Sequence, residues 1–427
     1  MSPDATPRLE TLPRDALVPI AFEHMLSGMI VTRAVLPLVV LHDGGFDAMN
    51  EIAIDEWMGA SPVYTGRMRA LMGIDGDGVE DIMKALQLDV GFVHGYMSVA
   101  YELTDHDHGE FWLAHCGALL DAEPHGEDRV FGMCHTIEDP TFDATALATN
   151  PRARIRPVHR PPRTPADREP HCRWTITIDP ANEPVESVPL TQRVATLPLA
   201  SVPNERPRDR DAGGMVDYRG PLDTAFTLTK LADHTLIAVA REFQMQSHLL
   251  MAATDLALRD RFGPEVARDM MRDAWLGASW ITSERLARAQ GSDAAESGAG
   301  ALARVLALTP MIPPGFDRAI AVDGDRVHVA LTPTAPGVFH PEHPGWCGAL
   351  ARGESAGFEG MVGGVDQRVG IAALTVGDDG VTFDAVCDPG GEPAPEPDVV
   401  AMGRIGLVSG WSYDPALPTG ARPVGSP

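Results

Sequence analysis

Apolar positions crowd residues 16–42 in a pattern that suits a buried helix, and Pro37 is expected to bend or break it. Residues 46–72 and 79–103 read as two further helices, separated by the turn 73–78 (GIDGDG). The pattern then changes to strand character at 110–120 (EFWLAHCGALL). A short helix is expected at 126–135, and Asp139 before Pro140 reads as the cap and first position of another. Residues 154–159 are strand-like and lead into the run HRPPRTPADREP. The stretch 172–179 (CRWTITID) alternates as a strand, with Cys172, Trp174, Ile176 and Ile178 on one apolar face.

Residues 180–222 are rich in Pro, Arg and Asp and read as a linker or a surface wrap. Helical character resumes at 225 and runs to about 289. A flexible loop is expected at 291–300, and strands at 318–322, 326–331, 369–376 and 381–387, before a loose Pro-containing tail. The two halves echo one another. At a shift of 218 residues, Asp55, Trp57, Gly59, Ala60, Ser61 and Arg67 face Asp273, Trp275, Gly277, Ala278, Ser279 and Arg285. The expectation is an α+β protein of two related helix-plus-small-sheet domains, a diverged internal duplication. Residues 15–180 form the first domain, 181–222 a linker and 223–413 the second.

Composition narrows the partners. The 427 residues carry a formal net charge of −26, and Lys84 and Lys230 are the only lysines. Such a balance repels nucleic acid and anionic membrane surfaces, which leaves a small-molecule substrate, with a homodimer compatible with the rest. The run 34–41 (AVLPLVVL) is far shorter than the roughly 20 apolar residues needed to span a bilayer. The N-terminal residues lack a basic start followed by an apolar stretch, so no signal peptide is expected. Five cysteines without disulfide spacing read as reduced thiols in a cytoplasm.

Three Cys-His neighbours, His115-Cys116, Cys134-His135 and His171-Cys172, fall within one short segment and carry the main chemical signal. On a regular strand Cys116 shares a face with Trp112 and Ala114, and His115 with Phe111 and Leu113. Cys134 is the candidate nucleophile, with His135 as base and Asp139 as orienting acid. The other reading makes each cysteine a core thiol. Arg152, Arg154, Arg156, Arg160, Arg163 and His159 form a basic island suited to a substrate carboxylate, or else to surface ion pairs. His171 and Cys172 are expected at the substrate. No resident cofactor is called for, and a zinc site drawn from Cys116, Cys134, His135 and His171 stays open as an alternative, although no structural zinc spacing is present. The segment 353–357 (GESAG) matches G-x-S-x-G around Ser355. It lacks the strand before it and any histidine after it, so it reads as a chance match.

A helical lead, a strand ending in Cys (FWLAHC), a short helix with Cys and acid (MCHTIED) and a strand opened by Cys (DREPHCRW) together resemble the L-2-amino-thiazoline-4-carboxylate hydrolase-like family. The resemblance covers about residues 20–180, with a fainter echo at 225–390. It implies a hydrolase that opens a small carboxylate-bearing C–N or C–S compound, with Cys116, Cys134, Asp139 and Cys172 at the matching positions. Two departures stand out. The Gly-Asp expected before the last Cys is replaced by 166–170 (ADREP), and the second half keeps only Cys387. A non-catalytic binding or scaffold protein is the competing reading.

Overall fold

The computed structural model describes residues 6–206, 213–290 and 298–404, with the strands Trp411–Tyr413 and Ala421–Pro423. The loop expected from 291 lies outside the described residues as far as 297. So do 207–212 of the linker and most of the tail.

The first half runs α1 (Arg14–Asp43), α2 (Phe46–Met72), α3 (Val79–Leu86), β1 (Met97–Leu103), β2 (His108–Cys116), α4 (Gly117–Ala122), α5 (Glu127–Phe131), α6 (Glu138–Leu147), β3 (Ala153–His159), β4 (Cys172–Ile178) and α7 (Pro189–Ala195). The second half runs α8 (Asp233–Phe262), α9 (Pro264–Ala289), α10 (Ala299–Leu308), β5 (Phe316–Asp323), β6 (Arg326–Pro333), α11 (Trp346–Ala351), α12 (Ala356–Gly363), β7 (Val369–Gly377), β8 (Gly380–Cys387) and α13 (Asp398–Gly403). Each half contributes a four-stranded antiparallel sheet, ordered β1-β2-β4-β3 and β5-β6-β8-β7. The protein is therefore α+β, with the same sheet order twice; three helices lie between the two hairpins of the first sheet and two between those of the second. Strand character begins earlier than expected, at Met97, because α3 ends at Leu86.

The four long helices form one layer shared by both halves. α1 packs on α8 and α9, and α2 packs on α8. Two ion pairs tie the halves across this layer: Arg67 to Glu242 at 2.6 Å and Arg285 to Glu23 at 2.7 Å. Their arginines stand at the same offset as the sequence repeat. α1 is long and apolar enough to cross a bilayer, but 72% of its most apolar window is buried here, with Leu17, Ile20, Leu26 and Ile30 fully covered. Its apolarity serves helix packing on several sides at once. Pro37 does not break it: α1 continues through both Pro19 and Pro37.

Three local details correct the sequence reading. First, β2 is not regular. Its pairing steps from Ser98–His115 to Val99–Leu113, which leaves Ala114 as an extra residue in a β-bulge. The bulge reverses the alternation, so Cys116 joins Phe111 and Leu113 on the buried face instead of Trp112. Second, Asp139 is not a helix cap. Helix runs on from α5 through a π-helical turn, Gly132–Ile137, into α6, whose cap position is Ile137. Pro140 has no N–H to give and would crowd the carbonyl one turn back, and the wider turn just before it accommodates that defect. Third, Cys387 is not the counterpart of Cys172. Leu113 pairs with Cys172 and Leu331 with Val381, so Cys387 stands at the far end of its strand.

The described part of the 180–222 segment holds the short helix α7, packed on α2, and a 3-10 turn at Pro198–Ser201. Its Tyr218 is buried, takes a backbone bond to Met72 and donates its hydroxyl to Gln87 at 2.7 Å.

Candidate functional site

A cavity of about 150 Å³ opens in the first half between α1, α2, the inner face of the sheet and the α5–α6 helical stretch. The alternation of β2 and β4 turns Leu113, Cys116, Cys172 and Trp174 toward it. Phe142 on α6 lies 4.9 Å from the Trp174 ring, and Trp57 on α2 and Phe92 complete an aromatic wall. The chamber is largely apolar, so its four charged residues stand out: Arg33, Arg129, Asp89 and Glu138.

Arg33 rises from α1 and donates to the Ala118 carbonyl at 3.1 Å, with Asp121 no nearer than 4.0 Å. Arg129 comes from α5. Its Nη1 is buried and has no hydrogen-bond partner among the described residues. Burial, with the neighbouring Arg33 charge, brings its guanidinium pKa down to about 10. Burial pushes the Glu138 carboxyl up to about 8, against the pull of Arg160. Asp89 rises to about 6 for the same reason, although Gly91 N–H donates to it at 2.7 Å and the Tyr64 hydroxyl at 3.2 Å. At neutral pH the wall thus presents two guanidinium cations, one carboxylic acid at Glu138 and one carboxylate at Asp89.

The residues singled out from sequence are only partly gathered. Cys116 and Cys172 line the chamber, and Cys134 is buried close enough for its charge to couple to both of them and to Glu138. All three are thiols. Burial raises Cys116 to about 12 and holds Cys134 and Cys172 well above the usual thiol range. His135 donates from Nε2 to the Pro161 carbonyl at 2.7 Å and stacks on Phe131 at 4.1 Å. Asp139 is ion-paired with Arg160. His171 accepts the Cys116 backbone N–H on Nδ1 at 3.2 Å, which ties β2 to the loop before β4, and burial lowers it to about 4. Its ring lies 5.8 Å from that of His115.

The basic island is committed elsewhere. Arg156 pairs with Asp143 at 2.7 Å, Arg154 lies 3.9 Å from the same carboxylate, and Arg163 pairs with Glu123 at 2.9 Å. Arg152 donates to the carbonyls of Pro180 and Asn182. His159 stands on edge strand β3, outside the chamber lining. Among the described residues no group of three or more His, Cys, Asp or Glu side chains is arranged to hold a metal ion. Ser355 sits before α12 with its hydroxyl on Glu359 at 2.6 Å.

Sequence reasoning missed Arg33, Arg129 and Asp89, and touched Glu138 only as part of the MCHTIED segment. One signal was available: Arg33 and Asp89 each interrupt an otherwise apolar stretch, where a charge has to earn its place. No protein-family model, no curated protein and no solved structure matches the chain.

Proposed function

We propose that the first-half chamber binds a small organic anion, its carboxylate held between Arg33 and Arg129 and its body against Trp57, Phe142 and Trp174. The observation that carries this is the pair of neighbouring guanidiniums, one with a buried nitrogen that has no hydrogen-bond partner among the described residues, inside a chain of net charge −26. With carboxylates so abundant, like charges brought together without a full set of acids are costly unless a ligand supplies the anion. Glu138, protonated near neutral pH, spares that anion a like-charge neighbour.

A hydrolytic reading rests on the same site and is favoured by Glu138. A carboxylic acid still protonated at pH 7 is suited to deliver a proton to a departing nitrogen or sulfur as a C–N or C–S bond breaks. In this reading Glu138 is the acid, and Cys116 and Cys172 are neutral wall groups. The repeated sheet order we read as a diverged duplication.

Calorimetry with benzoate and with benzamide at pH 7 tests the binding reading. Benzoate should bind, benzamide should bind at least about tenfold more weakly, and Arg129→Met should remove the difference. Equal affinity for the two compounds would refute the anion reading.

A further inference from the structure

The second half packs an indole against the helix face that corresponds, at the repeat offset, to one wall of the chamber. α5 and α11 both begin after a glycine of positive φ, Gly126 at 95° and Gly345 at 69°, so the two helices enter in similar ways. Only glycine adopts such a backbone readily, which fixes the alignment of the two helix starts. The first residue is Glu127 in one half, exposed, and Trp346 in the other, 2% exposed. The Trp346 indole stacks on Trp275 with ring centroids 5.7 Å apart and planes at 15°, and donates its N–H to the Met271 carbonyl at 3.3 Å. Trp275 and Met271 stand on α9 at the repeat offset from Trp57 and Ala53, and both of those residues line the open chamber. The indole of Trp346 therefore covers two residues whose counterparts at the repeat offset line the open chamber.

The charged groups do not recur. The third residue of α5 is Arg129 and that of α11 is Gly348, while α6 begins with Glu138 and α12 with Ala356. At the repeat offset Arg33 meets Met251. The filled copy is apolar where the open copy is charged, so the fold itself does not require those charges. A plug of protein carbon suffices where no ligand is taken.

From this we infer that the ligand's body is a flat ring system no larger than an indole, lying on Trp57 as Trp346 lies on Trp275. This rests on the anion reading for the head group and adds the nature of the body. The size agrees: a cavity of about 150 Å³ is of the order that accepts a benzene-sized ring.

The test measures benzoate, indole-3-carboxylate and heptanoate against the full chain by calorimetry, with Glu127→Trp as the self-plugged variant. Stacking beyond simple burial is worth up to about tenfold, so the ring carboxylates should bind by up to that factor more tightly than heptanoate. Glu127→Trp should cut their binding by at least about tenfold. Glu127 is exposed at a helix start, so the variant is expected to fold, and its circular dichroism confirms this independently of binding. Heptanoate binding as tightly as benzoate overturns the ring inference and leaves the anion reading standing. Unchanged benzoate binding in a folded Glu127→Trp overturns it as well. Failure of all three carboxylates to bind overturns the anion reading, and this inference with it.

Discussion

Replacing Arg129 by methionine should stabilise the protein while it destroys the binding site. The guanidinium is brought from 12.5 down to about 10, chiefly by burial. At about 1.4 kcal/mol per unit, that displacement corresponds to a ceiling of about 3 kcal/mol by which folding disfavours the charged form. Local relaxation and the chamber's solvent trim it, and methionine keeps most of the apolar stem in place, so the expected gain is about 1–2 kcal/mol. The sign follows from linkage. The folded value lies below the unfolded one, so the penalty is at full strength below about pH 10 and fades only as pH rises through 10 and beyond. Between pH 6 and 9 the gain should therefore be flat. Urea unfolding across that range, with and without benzoate, measures both consequences together. Wild type should gain stability with benzoate and Arg129→Met should not. A variant less stable than wild type by more than about 1 kcal/mol would refute the reasoning, because it would mean that the guanidinium is well satisfied where it stands.

Three further outcomes follow from the same chemistry. Glu138 is neutral below about pH 8 and a carboxylate above it, so benzoate affinity should fall as pH rises from 7 to 9 and stay level in Glu138→Gln; calorimetry at the two pH values decides this. Glu56 is fully buried, accepts from Thr32 at 2.6 Å, and is raised by burial to about 8. The folded state holds that proton longer than the unfolded chain does, so stability is lost as pH rises from about 4.5 toward 8. Glu56→Gln should recover up to about 3 kcal/mol at pH 7 in chemical denaturation, with no gain at pH 4. Finally, Cys116, Cys134 and Cys172 should alkylate with iodoacetamide far more slowly in the native protein at pH 7.5 than in urea. Rapid native labelling of Cys134 by mass spectrometry would restore it as a nucleophile.

Much of the architecture was legible because long-range packing agreed with local pattern. The apolar run before Asp43 is buried nearly all round, the β4 face of Cys172, Trp174, Ile176 and Ile178 is the inner face, and the offset that matched WMGAS with WLGAS places Trp57 on α2 and Trp275 on α9. Reading failed where one residue alters periodicity. Ala114 inserts a bulge and moves Cys116 to the other face, and Pro140 is absorbed by a π turn instead of starting a helix. Neither event leaves a mark in hydropathy. The proline at position 37 failed as a stop signal for a related reason: inside a helix packed on several sides, burial outweighs one missing hydrogen bond, which costs about 3 kcal/mol in isolation.

The candidate site was harder to read, and its arginines show why. Arginine density drew attention to residues 152–163, yet in a chain with 60 acidic residues and 34 basic ones an arginine near the surface readily meets a carboxylate. Arg156, Arg160 and Arg163 do so, with Asp143, Asp139 and Glu123. Clustering along the chain therefore carried little information about ligands. Arg129 has the opposite property, a buried nitrogen with no hydrogen-bond partner among the described residues, next to a second guanidinium. That property depends on α1 and α5 bordering one chamber, which draws on residues almost a hundred positions apart. Cysteine density led to the chamber, since Cys116 and Cys172 line it. All three thiols are buried, and apolar faces of strands and helices recruit cysteine as a small hydrophobe, so their density alone assigns them no role. The charged residues beside them, which packing alone would have excluded, are the ones that need a function to explain them.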